Sequence, residues 1–154
     1  MNLTLNQEHI FDIRIDFDQR QRFGPVCGGG EVGFTSVAGG VVEGPRLNGR
    51  VIPHGGADWA DIRPDGVVVI NAHYLLELDD GTTVYVQNRG FVVPAQRPVD
   101  ASPDQLIQPA YFRLAPTFKV PVGPHDWLSR TVIVGCGERH LNPDYTLFRY
   151  YAMG

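Results

Sequence analysis

A chain of 154 residues, 43% of them apolar, is long enough for one domain with a hydrophobic core and too short for two comfortable ones. Thirteen basic against seventeen acidic side chains give a formal charge of −4, which argues against nucleic acid as a partner. No run of about 18 apolar residues is present to span a membrane. The start, Met1-Asn2-Leu3-Thr4-Leu5, lacks the basic and apolar regions of a secretory signal, so the cytoplasm is the default location.

Eighteen glycines and twelve prolines are spread along the chain, as expected for short strands joined by turns. Residues 1–9 carry no clear pattern and are expected to be a loose N-terminus. From Phe11 to Phe17 apolar and polar residues alternate strictly, which predicts a half-buried strand. Arg20 to Gly30 reads as a turn-rich connection. Val32 to Val42 is β-prone, with a bulge or close backbone approach expected at Gly39-Gly40. Glu43 to Gly49 forms a loop.

Val67 to Leu78 is the longest β-like run, and Thr83 to Asn88 resumes the pattern after Asp79-Asp80-Gly81. Asp-Gly between two such runs predicts a hairpin. With Asp80 and Gly81 as a two-residue loop, His73 faces Asn88 and Glu77 faces Val84. Residues 94–109 break the rhythm and read as a long loop or lid, with one helical turn at Ser102-Pro103-Asp104-Gln105. Strands resume at Ala110 to Leu114, Phe118 to Val120, Arg130 to Val134 and Tyr145 to Ala152. Gly123 to Leu128 makes a turn or a single helical turn. Eight to ten short strands and no long helical pattern mean an all-β sandwich or barrel. Strand patterns at both termini favour a closed antiparallel barrel, because the last strand can then pair with the first.

Few motifs carry chemistry. Gly28 to Gly33 matches G-x-G-x-x-G, but no helix follows it, so it reads as a glycine-rich turn. His9, His54, His73, His125 and His140 lack metal-ligand spacing, and no metal or other cofactor is expected. Cys27 and Cys136 read as reduced, packed thiols. The serines lack a nucleophile elbow.

More informative are polar residues set beside aromatics and glycines. Asp58 and Trp59 adjoin a glycine loop, and Glu43 and Arg46 flank a Gly-Pro turn. Asn71 and His73 share one face of the long strand, with Tyr85 and Asn88 on its hairpin partner. Arg113 adjoins Tyr111 and Phe112. Asp58, Glu43 and His73 are the candidate proton-transfer groups. Arg113, Trp59, Arg46, Asn71, Asn88 and Tyr85 are the candidate substrate contacts. Each has a plain structural alternative: Glu43 and Arg46 pairing across their own turn, Asp58 capping a turn, His73 and Trp59 serving as core.

Gly39 to Gly49, Gly55-Gly56-Ala57-Asp58-Trp59, Asp79-Asp80-Gly81, Tyr111-Phe112-Arg113 and Asp126-Trp127-Leu128 occur in this order. Together they make nearly the whole chain from Phe11 onward resemble the small bacterial and fungal proteins of the domain of unknown function family 3237. The resemblance implies a lipocalin-like antiparallel barrel able to form homo-oligomers. It also implies pocket positions for Glu43, Asp58, Trp59 and Arg113, with His73 tuning this member to its own substrate. The expected function is a cofactor-independent acid/base enzyme, a lyase or isomerase, acting on a hydrophobic, oxygenated, phenol-like small molecule. The alternative is a non-catalytic carrier or sensor.

Overall fold

The computed structural model describes residues 3–154, so Met1 and Asn2 of the expected N-terminal segment lie outside the described residues. Ten strands form: β1 (Gln7–Phe23), β2 (Glu31–Glu43), β3 (Gly49–Val51), β4 (Ala57–Ile62), β5 (Val68–Leu78), β6 (Thr83–Val93), β7 (Tyr111–Leu114), β8 (Thr117–Lys119), β9 (Ile133–His140) and β10 (Tyr145–Met153). The helical element among them is one 3₁₀ turn, Asp126–Ser129. The pairings run β1-β2-β4-β5-β6-β7-β9-β10 and back to β1, all antiparallel, and so close into a ring. Of the two remaining strands, β3 bridges β2 and β5 beyond the end of β4, and β8 adds to β6. As expected from the strand patterns at both termini, the first and last strands pair, from Gln7 opposite Met153 to Asp16 opposite Tyr145.

Several local expectations change. Gln7, Glu8 and His9 already pair with β10, so ordered structure starts earlier than the alternation suggested. β1 also continues through Arg20 and Arg22 to Phe23, across the first four residues of the expected connection. The segment Ser102–Gln105 makes the single turn expected there, closed by the Gln105 N–H donating to the Ser102 carbonyl at 3.0 Å. Cys27 is exposed and Cys136 half-buried, both free, so Cys27 is not a packed thiol.

The hairpin between β5 and β6 is the consequential correction. Its loop has three residues, Asp79, Asp80 and Gly81. The Gly81 N–H donates to the Leu78 carbonyl at 2.8 Å, and the Leu78 N–H to the Thr82 carbonyl at 2.9 Å. Gly81 takes φ +86°, the left-handed residue that lets a type I turn close such a loop. One extra loop residue moves the register by one. His73 therefore faces Gln87, Glu77 faces Thr83, and Asn88 stands opposite Ala72.

Along each long strand the inward residues change character from one end to the other. Ile10, Phe11 and Ile13 of β1, Leu76 and Leu78 of β5, and Val84 and Val86 of β6 are buried in one packed cluster. Leu128 of the 3₁₀ turn and Phe118 of β8 belong to the same cluster and close this end of the ring. Toward the other end Ile15, Phe17, Tyr74, Ala72, Asn88 and Val92 face a cavity instead. The expected irregularity at Gly39-Gly40 is present as a register shift between β1 and β2. Gly40 also packs so tightly that a Cβ there would stand 1.9 Å from the Arg14 carbonyl oxygen.

Candidate functional site

The cavity has a volume of about 690 Å³ and is walled mainly by aliphatic and aromatic side chains. Leu106, Ile107 and Pro109 of the long 94–109 segment contribute to its lining, so that loop forms part of the wall. A space of this size and character is typical of a small-molecule site.

Into this apolar space one transverse row of the sheet sends a set of polar groups. Arg20 of β1 stands opposite Thr35 of β2, Thr35 opposite Asp58 of β4, Asp58 opposite Ala72 of β5, and Ala72 opposite Asn88 of β6. All five line the cavity. Antiparallel partners share a face, which is why residues so far apart in sequence converge here.

Asp58 holds its place because the β4–β5 ladder is interrupted beside it. Pairing lapses between Asp58–Ala72 and Asp61–Val69, and the Asp58 Oδ1 accepts the Asn71 N–H at 3.0 Å. Burial pushes its carboxyl up from an ordinary 3.8 to about 6, against that hydrogen bond and the attraction of Arg20. A carboxyl so placed can hold or release a proton near neutral pH.

Asn88 is 1% exposed, and neither its Oδ1 nor its Nδ2 has a hydrogen-bond partner among the described residues. Leaving such an amide unpaired costs about 1–3 kcal/mol. The hydroxyls of Tyr74 and Tyr150 are equally buried and without partners of good geometry. Burial pushes both phenols up, so both stay neutral.

At the opposite side, the mouth is cationic. Arg20 donates to Asp144 from Nε at 3.1 Å and Nη2 at 2.7 Å, and Arg139 donates to the other Asp144 oxygen. Arg139 also donates to the Thr146 hydroxyl at 2.7 Å. Both guanidiniums lie near the Phe17 ring, 5.1 and 5.3 Å from its centre. Burial alone raises the Asp144 carboxyl, but hydrogen bonds from Arg139 and Arg20 outweigh it and hold the group below its usual range. Two guanidiniums therefore share one carboxylate, leaving a net positive charge.

Of the nine residues singled out from sequence, Asp58 and Asn88 line the cavity and seven do not. Asn71, His73 and Tyr85 occupy the outer face, since strand parity sets them opposite in sense to Ala72, Tyr74 and Val86. There His73 bonds the Tyr85 hydroxyl through Nδ1 and the Asn71 Oδ1 at 3.2 Å through Nε2. Trp59 joins this outer cluster, its ring 6.2 Å from that of His73 and 5.8 Å from that of Phe34, and is 47% exposed. Glu43 is exposed at the end of β2. Arg46 stacks over Trp127 at 3.9 Å, with Glu8 at 4.0 Å, so the pairing with Glu43 is not formed. Arg113 is exposed on β7 and donates to the Phe112 carbonyl at 3.0 Å. None of these seven side chains lines the cavity.

Sequence reasoning missed Arg20, Arg139, Thr146 and Tyr74. The signal for Arg139 was present in Gly135-Cys136-Gly137-Glu138-Arg139, an alternation whose inward members are glycines. A Cβ at Gly135 would meet the Tyr150 ring at 2.6 Å, and one at Gly137 the Phe112 ring at 2.4 Å. The strand lacks side chains there because neighbouring rings fill the space. Among the described residues no group of three or more His, Cys, Asp or Glu is arranged to hold a metal ion. No helix among them is long and apolar enough to cross a membrane.

Residues 5–153 match the family model described as protein of unknown function (DUF3237). A UPF0311 protein of Clostridium acetobutylicum is 31% identical over 150 residues, covering 96% of this chain and 93% of that one. One from Rhodopseudomonas palustris is 32% identical over 148 residues, covering 91% and 92%. A crystal structure of a Rhodopseudomonas palustris protein of unknown function superposes with TM-score 0.84 at 28% identity, over 99% of this chain and 100% of that one. Two more distant structures share the fold. A β-barrel-like protein of Acinetobacter baumannii has TM-score 0.86 at 24% identity, over 100% and 99% of the chains. An enzyme from Penicillium herquei has TM-score 0.74 at 19% identity, over 100% and 98%.

Proposed function

This chain belongs to the DUF3237 family, whose description assigns no activity, and we propose from its cavity that it is an acid–base enzyme in which Asp58 moves a proton on an apolar, oxygenated small molecule. The observation that carries this reading is a carboxyl group set into a largely apolar cavity of substrate size. A carboxylate there takes a proton from a carbon or hydroxyl of the bound molecule and returns it to another atom. Isomerisation, elimination and retro-aldol cleavage all need that transfer. Burial of Asp58 supports the assignment, because it brings the midpoint near the pH at which both protonation states are populated. An enzyme from Penicillium herquei shares this fold, which supports the reading at the level of architecture.

The test is to incubate the purified protein with a panel of phenolic and other oxygenated metabolites and follow each by mass spectrometry. One compound is expected to disappear into a stoichiometric product, and Asp58→Asn is expected to slow that turnover about 100-fold or more with the fold intact. Equal turnover by the variant overturns the role of Asp58. The mostly apolar lining favours a second reading, a carrier, for which a compound is retained unchanged.

A further inference from the structure

The polar groups of the cavity are sorted by charge along the row that crosses it. At one end Arg20 stands with Arg139, two guanidiniums on the single carboxylate of Asp144. At the other end Asn88 stands buried beside the neutral hydroxyls of Tyr150 and Tyr74, and no hydrogen bond of good geometry uses its acceptor or its two donor positions. The two ends differ in what they can hold. A negative oxygen is welcome beside the arginines. It is unwelcome at Asn88, where burial penalises charge and Asp58 is the nearest ionisable group along the row. A neutral hydroxyl or carbonyl satisfies Asn88 without that penalty.

The register also fixes what lies between. Asp58 is two strands from Arg20, across Thr35, and two strands from Asn88, across Ala72. With neighbouring strands about 4.8 Å apart, each span is about 10 Å along the sheet. Ala72 contributes only a methyl group, so the wall is shallow between Asp58 and Asn88.

We propose that the cavity selects a two-ended substrate, an apolar molecule of fused-ring size with an anionic oxygen group held by Arg20 and Arg139 and a neutral hydroxyl or carbonyl held by Asn88. This rests on reading the cavity as the substrate site, and it names the substrate class. Asn88 is then the residue that recognises the neutral end, and Asp58 addresses the middle of the bound molecule.

Three fluorescent probes test this on the intact protein: 6-hydroxy-2-naphthoate, which has both groups at opposite ends, 2-naphthoate, which lacks the hydroxyl, and 2-naphthol, which lacks the carboxylate. The two-ended probe is expected to bind about tenfold tighter than either of the others. In Asn88→Leu its affinity should fall to that of 2-naphthoate, while 2-naphthoate binding stays within about twofold. In Arg139→Leu both carboxylates should weaken and 2-naphthol should not. Equal affinity of all three probes for the native protein overturns the proposal, and that comparison needs no variant to fold. So does an Asn88→Leu protein that folds and weakens all three alike. Binding is read without turnover, so lost selectivity beside intact catalysis overturns the substrate class alone. Selective binding beside undiminished turnover by Asp58→Asn overturns the acid–base role alone.

Discussion

Asp58 is the residue on which the functional reading turns, and its environment has a consequence for stability. Its folded-state midpoint, about 6, lies above the ordinary 3.8, so the folded chain holds the proton more tightly than the unfolded chain does. The stability this contributes is complete below about pH 3.8 and is lost as pH rises through 6. The difference corresponds to about 3 kcal/mol. Asp58→Asn keeps an oxygen to accept the Asn71 N–H and removes the charge. The variant should therefore be more stable than the native protein at pH 8, by up to about 3 kcal/mol, and nearly equal to it at pH 4. Urea denaturation at both values checks this, and a difference independent of pH would refute it. Asp12 and Asp144, whose carboxyls lie below the usual range, act in the opposite direction in both proteins and cancel in the comparison.

At the scale of the strand, the sequence was read well in period and less well in phase. The alternation of Phe11 to Phe17 and the long run ending at Leu78 appear as β1 and β5, and the turn at Asp79-Asp80-Gly81 is a hairpin. The face that each residue takes depended on a loop of three residues instead of two. That single residue separates Asn88, inside, from Asn71 and His73, outside, whereas Tyr85 lies opposite in face to Asn88 by strand parity alone. A cluster of histidine, tyrosine and tryptophan is conspicuous in a sequence, yet here it decorates the outer surface. The arginines that matter were hidden, Arg20 in a stretch read as a turn and Arg139 behind glycines that looked like a strand end. Cross-strand partners far apart in sequence leave no local pattern to read. Close packing was more legible. The Gly39-Gly40 pair marks a close approach in the sequence itself, and Gly40→Ala would press a methyl group into the Arg14 carbonyl. We expect that variant to lose more than about 1 kcal/mol of stability, seen as a lowered thermal midpoint. An unchanged midpoint would mean that β1 and β2 can separate at that point without cost.

The whole molecule is a ring with two unlike ends. One end is filled by Phe11, Leu76, Val84, Phe118 and Leu128, and gives the ring a packed base. The other end is left open to an apolar cavity with an aspartate and a buried asparagine on its wall and two arginines at its mouth. Closure of the ring was foreseeable from the strand patterns at both termini, since the β1–β10 pairing removes two free edges at once. How the interior is divided between core and cavity was not, because it depends on which inward residues are small. The central claim is that Asp58 is a proton-transfer group poised by this interior. The most direct test is a pH titration of the Asp58 carboxyl carbon by NMR in the ligand-free protein, assigned by comparison with Asp58→Asn. A midpoint near 6 is the expected result. A midpoint at or below the ordinary 3.8 would contradict the claim, because the group would then be a solvated carboxylate with no proton to give near neutral pH.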